Sequence, residues 1–267
     1  MNMTSASTTR SRNAGFSFIE LLIATLLGGI IILASVELFS TNQRTFQLQS
    51  GLTDVQEQGR FALDFISREI RMMGYEDEDL GLADDAGLVR ADITIGGTTY
   101  TASAEGGTGN PGNDRFTFSK QGDIGTSDCE GDVLTAAALI VQTYWVQDDQ
   151  LFCMGSVNAA TTGIAMLTGI DSFQVLIGVD TSADGVPAAG TYKTINNVTA
   201  TDQIVSVRLG IVVRATQGNM PTPAASRDLL VLDRMLSASA GGPLATPAVR
   251  RVFVTTVRVR NLVWESI

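Results

Sequence analysis

The sequence predicts an α+β chain: one long N-terminal helix followed by a larger body of antiparallel strands. Three observations carry that prediction. Residues 16–36 hold a single charge, Glu20, in otherwise apolar sequence. Directly after them, apolar or small residues recur at steps of three and four, the period of one helical face. Beyond Gly74, stretches rich in Gly, Asp and Asn separate runs in which apolar and polar residues alternate, the period of a half-buried strand.

The first element is the apolar run. A helix over residues 16–36 would be about 31 Å long at about 1.5 Å per residue, close to the roughly 30 Å hydrocarbon core of a bilayer. The residues before it contain Arg10 and Arg12 and no acid. By the positive-inside tendency this keeps the N-terminus in the cytoplasm and sends everything after Val36 across. An ordinary secretory signal fits poorly, because its cleavage site follows the apolar run, whereas here the polar-to-apolar break lies before it, at Gly15. A carboxylate inside hydrocarbon costs about 2.5–3.5 kcal/mol on insertion scales, so Glu20 asks for a partner. Cleavage after Gly15 would supply one, the new α-amino group of Phe16, either within the chain one helical turn away or from a neighbouring subunit.

The second element is the stripe Leu48, Leu52, Val55, Gly59, Ala62, Ile66, Ile70 and Met73, with Asp54, Glu57, Arg60, Asp64, Arg68 and Arg71 on the other faces. It predicts a continuous amphipathic helix stopped by Gly74. From residue 16 to 74 such a helix would reach about 87 Å. The stripe requires a partner surface, either the rest of the chain or a second helix in a coiled coil.

Composition narrows what the remainder does. The chain has 267 residues, 44% of them hydrophobic, enough for a substantial core in one large domain or two modest ones. Its net charge of −10 argues against nucleic acid as a partner. Histidine is absent and cysteine numbers two, so a transition-metal site of the usual ligand set is not expected. Cys129 and Cys153, beyond a translocated helix, predict one disulfide in an oxidising compartment, the alternative being two free thiols. No His-based nucleophile pair, GxSxG, phosphate-binding loop or HExxH is present, so an enzyme is not expected.

Several strands are well marked. Residues 115–119 alternate, 133–146 form a long β-prone run, and Asp148-Asp149 turn into Leu151-Phe152-Cys153, a hairpin whose return arm carries the second cysteine. Phe173, Val175, Ile177 and Val179 alternate. So do Val205, Val207, Leu209, Ile211 and Val213, opposite Ser206, Arg208 and Arg214. The last strand, residues 251–261, sets Phe253, Val257 and Val259 on one side. Residues 96–113 predict turns around at most a short strand, and residues 215–250 carry no pattern that assigns them.

Calcium is the one cofactor with candidate ligands. Asp180, Ser182 and Asp184, then Gly185, open like a calcium-binding loop, but Thr191 stands where a bidentate acid belongs. A plain Asp/Gly turn explains the same residues. Glu76, Asp77, Glu78, Asp79, Asp84 and Asp85 read as a solvated acidic loop.

The segment GFSFIELLIA, residues 15–24, resembles the class III signal of type IV pilins and of the pseudopilins of type II secretion. The resemblance implies that a prepilin peptidase cuts after Gly15, that the new terminal Phe16 is N-methylated, and that Glu20 serves assembly. It also implies that the amphipathic half-helix packs on a β-sheet head. The blocks GRFALDFISREIRMMGY (59–75), SFQVLIGVDTSADGVPAAGTY with IVSVRLGIVVRA, and RRVFVTTVRVRN (250–261) resemble PilW-type minor pilins. The implied organisation is a cleaved leader (1–15), a transmembrane and assembly half-helix (16–36), an amphipathic half-helix (37–74) and a periplasmic head (75–267). The implied work is that of a minor pilin held in the inner membrane until it joins a type IV pilus, in a tip complex that primes assembly and presents an adhesin, with roles in adhesion and twitching. Its implied partners are other minor pilins, the major pilin and a tip adhesin. A J-type pseudopilin and a membrane-tethered periplasmic binding module are the alternatives.

Overall fold

The computed structural model describes residues 15–80, 87–106, 112–158, 162–182, 191–216, 227–239, 242 and 244–261. The chain divides into two compact units between Gln47 and Leu48. Helix α1, Phe18–Ile70, supplies residues to both.

The first unit is the apolar part of α1, whose side chains are exposed almost throughout, Phe18, Leu26 and Leu33 among them. Its hydroxyls do not face outward unpaired. Thr25 donates to the Leu21 carbonyl at 3.0 Å and Ser35 to the Ile31 carbonyl at 2.7 Å. Those bonds satisfy the two hydroxyls of residues 18–36 within the helix itself.

The second unit is built on the helical stripe. Val55, Gly59, Ala62, Ile66, Ile70 and Met73 are buried, while Leu48 and Leu52 are half-buried. The stripe meets the strands of the same chain, and each fully buried isoleucine there contributes about 1.5–3 kcal/mol. At Gly59 the helix backbone itself is the contact surface: a Cβ would lie 2.3 Å from the ring of Phe253. The helix proper stops at Ile70 and a turn carries the chain to Gly74, where φ is 72° and the amide donates to the Ser119 carbonyl at 3.1 Å.

Among the described residues twelve strands follow, and every pairing between them is antiparallel. β1 (Ile93–Ile95) and β2 (Thr98–Tyr100) make a hairpin over Gly96 and Gly97. The first four-stranded sheet runs in sequence order: β3 (Phe116–Gly122), β4 (Ala138–Gln147), β5 (Gln150–Gly155) and β6 (Ile164–Thr168). Asp148 and Asp149 both take left-handed conformations, φ 49° and 59°, the twist a two-residue hairpin needs. The second sheet has the order β12 (Arg250–Arg258), β9 (Gln203–Arg214), β7 (Ile170–Asp180) and β8 (Tyr192–Thr194). The chain changes sheets at Gly169, whose φ is 76° and where a Cβ would stand 2.7 Å from the Arg214 carbonyl oxygen.

Three sequence expectations need adjustment. The first strand of the 115–122 region is buried along its whole length rather than on one face, because chain segments cover both sides. The β-prone run 133–146 becomes strand only from Ala138. Within residues 215–250, β10 (Leu229–Val231) and β11 (Arg234–Leu236) form a hairpin whose Val231 and Leu236 pack with Val212 and Leu244.

Candidate functional site

The N-terminal site is short and local. Gly15, Phe16 and Ser17 precede α1, and the Ser17 carbonyl accepts the amides of Glu20 at 3.0 Å and Leu21 at 3.2 Å, which opens the helix. Glu20 therefore occupies the first turn, where the unpaired amides of a helix start favour an acid. Everything that follows as far as Val36 is uncharged and, but for the half-buried Gly28, exposed, with a window of mean hydropathy 2.4 and none of it buried. By length and composition the helix is able to cross a membrane. An apolar surface of this extent needs lipid or other helices to cover it.

The second-unit features are structural fasteners. Cys129 and Cys153 form a disulfide with Cα atoms 6.3 Å apart, tying the loop after β3 to β5. A closure of this length contributes about 3 kcal/mol in the chain-entropy account. Around it Asp128, Glu130 and Asp132 bring carboxylate oxygens within 4.8 Å of one another. The Asp128 oxygens already accept amides of Glu130, Asp132 and Val157, each at 3.1 Å, and Glu130 accepts the Gly155 amide at 3.1 Å. These acids hold the disulfide loop in place; sequence reasoning passed over them, although the alternation Asp128-Cys-Glu130-Gly-Asp132 was readable.

Of the calcium candidates, Asp180 accepts the Ser182 amide at 2.8 Å and its hydroxyl at 2.9 Å, an Asx turn after β7. Asp184 lies outside the described residues, as do Asp84 and Asp85 of the acidic stretch.

Asp114 joins the two sheets. Strand β8 pairs only with residues 176–178 of β7, so the earlier part of β7 needs other partners. The loop before β3 supplies them: Asp114 accepts the Val175 amide at 2.7 Å, Asn113 accepts the Phe173 amide at 2.9 Å, and the Asp114 amide donates to the Phe173 carbonyl at 2.9 Å. The other Asp114 oxygen accepts the Gly106 amide at 3.0 Å. Burial pushes its carboxyl up to about 7, against the pull of these amides and of Arg234.

A pH dependence follows. In the unfolded chain Asp114 ionises near 3.8, while the folded protein keeps the proton to about 7. Between those values only the unfolded state releases a proton as pH rises, so this group lowers stability across that window and is level above it. In denaturant titrations of the full chain in detergent, wild type should lose on the order of a few kcal/mol between pH 4 and 7 relative to Asp114→Asn. Parallel pH profiles for the two proteins would show that Asp114 does not titrate in this way.

A second charged set, centred on the buried Asp171, lies where β7 and β12 begin and β9 ends. Asp171 accepts Arg214 at 2.9 Å and also pairs with Arg250, while Arg214 reaches Asp149 in the β4–β5 turn at 2.8 Å. Burial raises the Asp171 carboxyl and the two arginines oppose it.

Comparison with known proteins joins the two ends of this description. A prokaryotic N-terminal methylation motif matches residues 10–36, the stretch that contains Gly15, Phe16 and Glu20. The family model of type IV pilus-assembly protein W matches residues 139–261, from β4 to just past β12. The two matches support a PilW-type type IV pilin, one over the helix start at residues 10–36 and the other over the strands of residues 139–261. Among solved structures, a type IV-like pilin from Thermus thermophilus is similar over 79% of this chain and 97% of its own, at 16% identity and a TM-score of 0.43. No curated protein matches the chain. The long N-terminal helix thus starts inside the methylation motif, and the antiparallel strands from β4 to β12 lie in the stretch matched by the PilW model.

Proposed function

We propose that the chain is a minor pilin, made as a precursor and held in the inner membrane with residues 75–267 in the periplasm, then incorporated into a type IV pilus through α1. A prepilin peptidase removes residues 1–15, and Phe16 becomes the N-methylated terminus. The apolar half of α1 then leaves lipid for a bundle of like helices, a transfer between two apolar surroundings that costs little hydrophobic energy. What gives that transfer direction is charge: Glu20 of one subunit meets the α-amino group of another, and the stagger between helices is set by that pair. The observation that carries the reading is the single carboxylate in an exposed apolar helix, inside a methylation motif.

The PilW match favours a pilus over a type II secretion pseudopilus and over a plain tether. In the fibre we place the head near the tip, with other minor pilins, the major pilin and an adhesin as neighbours, in a complex that primes assembly. Arg10 and Arg12 ahead of the apolar run support a cytoplasmic leader. Mass spectrometry of the protein recovered from sheared fibres is expected to show a chain that starts at Phe16 with a methylated amine. A mature terminus elsewhere, or absence from the fibre fraction, overturns the proposal.

A further inference from the structure

The sheet edges are treated unequally. The outer edge of β3 is closed by backbone bonds: Ser119 accepts Gly74 at 3.1 Å, Thr117 accepts Val89 at 3.0 Å, and Ala104 and Arg115 exchange bonds at 2.9 and 2.8 Å. The early part of β7 is covered through Asn113 and Asp114. β8 has three residues and β6 five, with a register shift in its pairing to β5. By contrast β12 has nine residues in unbroken register with β9 on one side, and among the described residues no strand or loop backbone bonds to the other side of residues 250–257. A long, regular open edge is a template for another chain unless it is blocked.

Beside that edge lies a cleft of about 420 Å³ between α1 and β12. Leu63 and Phe253 give it apolar walls, and Val254, 51% exposed, stands at its mouth. Arg60 and Arg71 line it from the helix. Among the described residues neither arginine has an ion-pair partner, and the one acid in the cleft, Asp64, is taken by Arg68 at 2.8 Å. Two guanidiniums without an ion-pair partner among the described residues therefore frame an apolar slot next to the open edge of β12, on a protein whose net charge is −10.

We infer that this cleft receives an extended acidic segment of another fibre subunit, added to the second sheet beyond β12. Main-chain bonds to β12 would supply affinity, alternate apolar side chains would enter between Leu63 and Phe253, and carboxylates would meet Arg60 and Arg71. A second copy of β12 is a poorer occupant, since its Arg251 would add a cation to a groove that Arg60 and Arg71 already frame. The inference takes the identity of the partner from the assembly reading; the groove itself does not depend on it.

The test uses the full chain in detergent micelles and a fluorescent synthetic peptide of alternating valine and glutamate, with its valine–lysine counterpart as control. Saturable binding of the acidic peptide is expected, weakened about tenfold or more in Arg60→Glu/Arg71→Glu and by added salt. Amide exchange should slow along residues 250–258 on binding. Both arginines are exposed and, among the described residues, without an ion-pair partner, so the double variant should melt as wild type does. Equal binding of the lysine peptide, an unaffected double variant, unchanged exchange along β12, or self-association of the chain in place of peptide binding would each overturn the inference. Because the measurement needs no fibre, a negative result here leaves the assembly reading standing, and failure of the chain to enter fibres leaves a positive one standing.

Discussion

A Glu20→Val chain should still be cut after Gly15 and found in the inner membrane, yet be missing from sheared fibres. Valine removes the one charge between residues 16 and 36, so the helix inserts at least as well: a carboxylate at membrane depth costs about 2.5–3.5 kcal/mol, and its own helix start offsets only about 0.3–1 of that. Membrane residence therefore gains from the change. Assembly loses, because helices that exchange lipid for one another gain no hydrophobic energy and need a polar contact to choose a register. Glu20→Gln separates charge from hydrogen bonding: an amide of the same shape retains an acceptor but not the ion pair, and should assemble far less than wild type. Cell fractionation followed by immunoblotting of the fibre and membrane fractions reads both. If the valine chain entered fibres at wild-type levels, α1 would be an anchor and nothing more.

Much of the fold was readable where a local pattern had only one physical solution. The stripe from Val55 to Met73 had to be covered, and it is. Asp148-Asp149 between two apolar runs had to turn tightly, and both residues take positive φ. Val207, Leu209, Ile211 and Val213 alternate because that face of β9 meets the main core. The unreadable parts depend on neighbours distant in sequence. The β10–β11 hairpin turns through Leu232 at φ 56°, a conformation leucine disfavours, and no Gly or Asn marked it. Its stability comes from Val212 and Leu244 beneath it. Asp114 looked like any turn acid, since its partners at Gly106, Phe173 and Val175 are brought to it only by the packing of two sheets. Lys120, one residue past the predicted strand 115–119, was passed over, although it shares the parity of Phe116 and Phe118, and a lysine in that position on an apolar face needs a buried partner that the strand alone does not name.

That partner is Glu69 of α1, and its loss is expected to produce the largest stability change in the second unit. The Lys120 ammonium, with 5% of its side chain exposed, bonds Glu69 at 2.6 Å, and the same Glu69 oxygen accepts the Gln142 amide at 2.9 Å while Gln142 accepts the Tyr144 hydroxyl at 3.1 Å. The network pins the last turns of the helix to β3 and β4. Glu69→Leu strands a buried cation and should cost about 3–5 kcal/mol. Lys120→Met should cost less, because the Glu69 side chain is 21% exposed and can turn to water. Putting both changes in one chain should recover the larger part of the loss, leaving chiefly the unpaired Gln142 amide, about 1–3 kcal/mol. Denaturant titration of the full chain in detergent, read as a double-mutant cycle, gives the coupling directly. Additive losses would mean that the two charges do not sense each other, and that the helix is held on the strands by the apolar stripe alone.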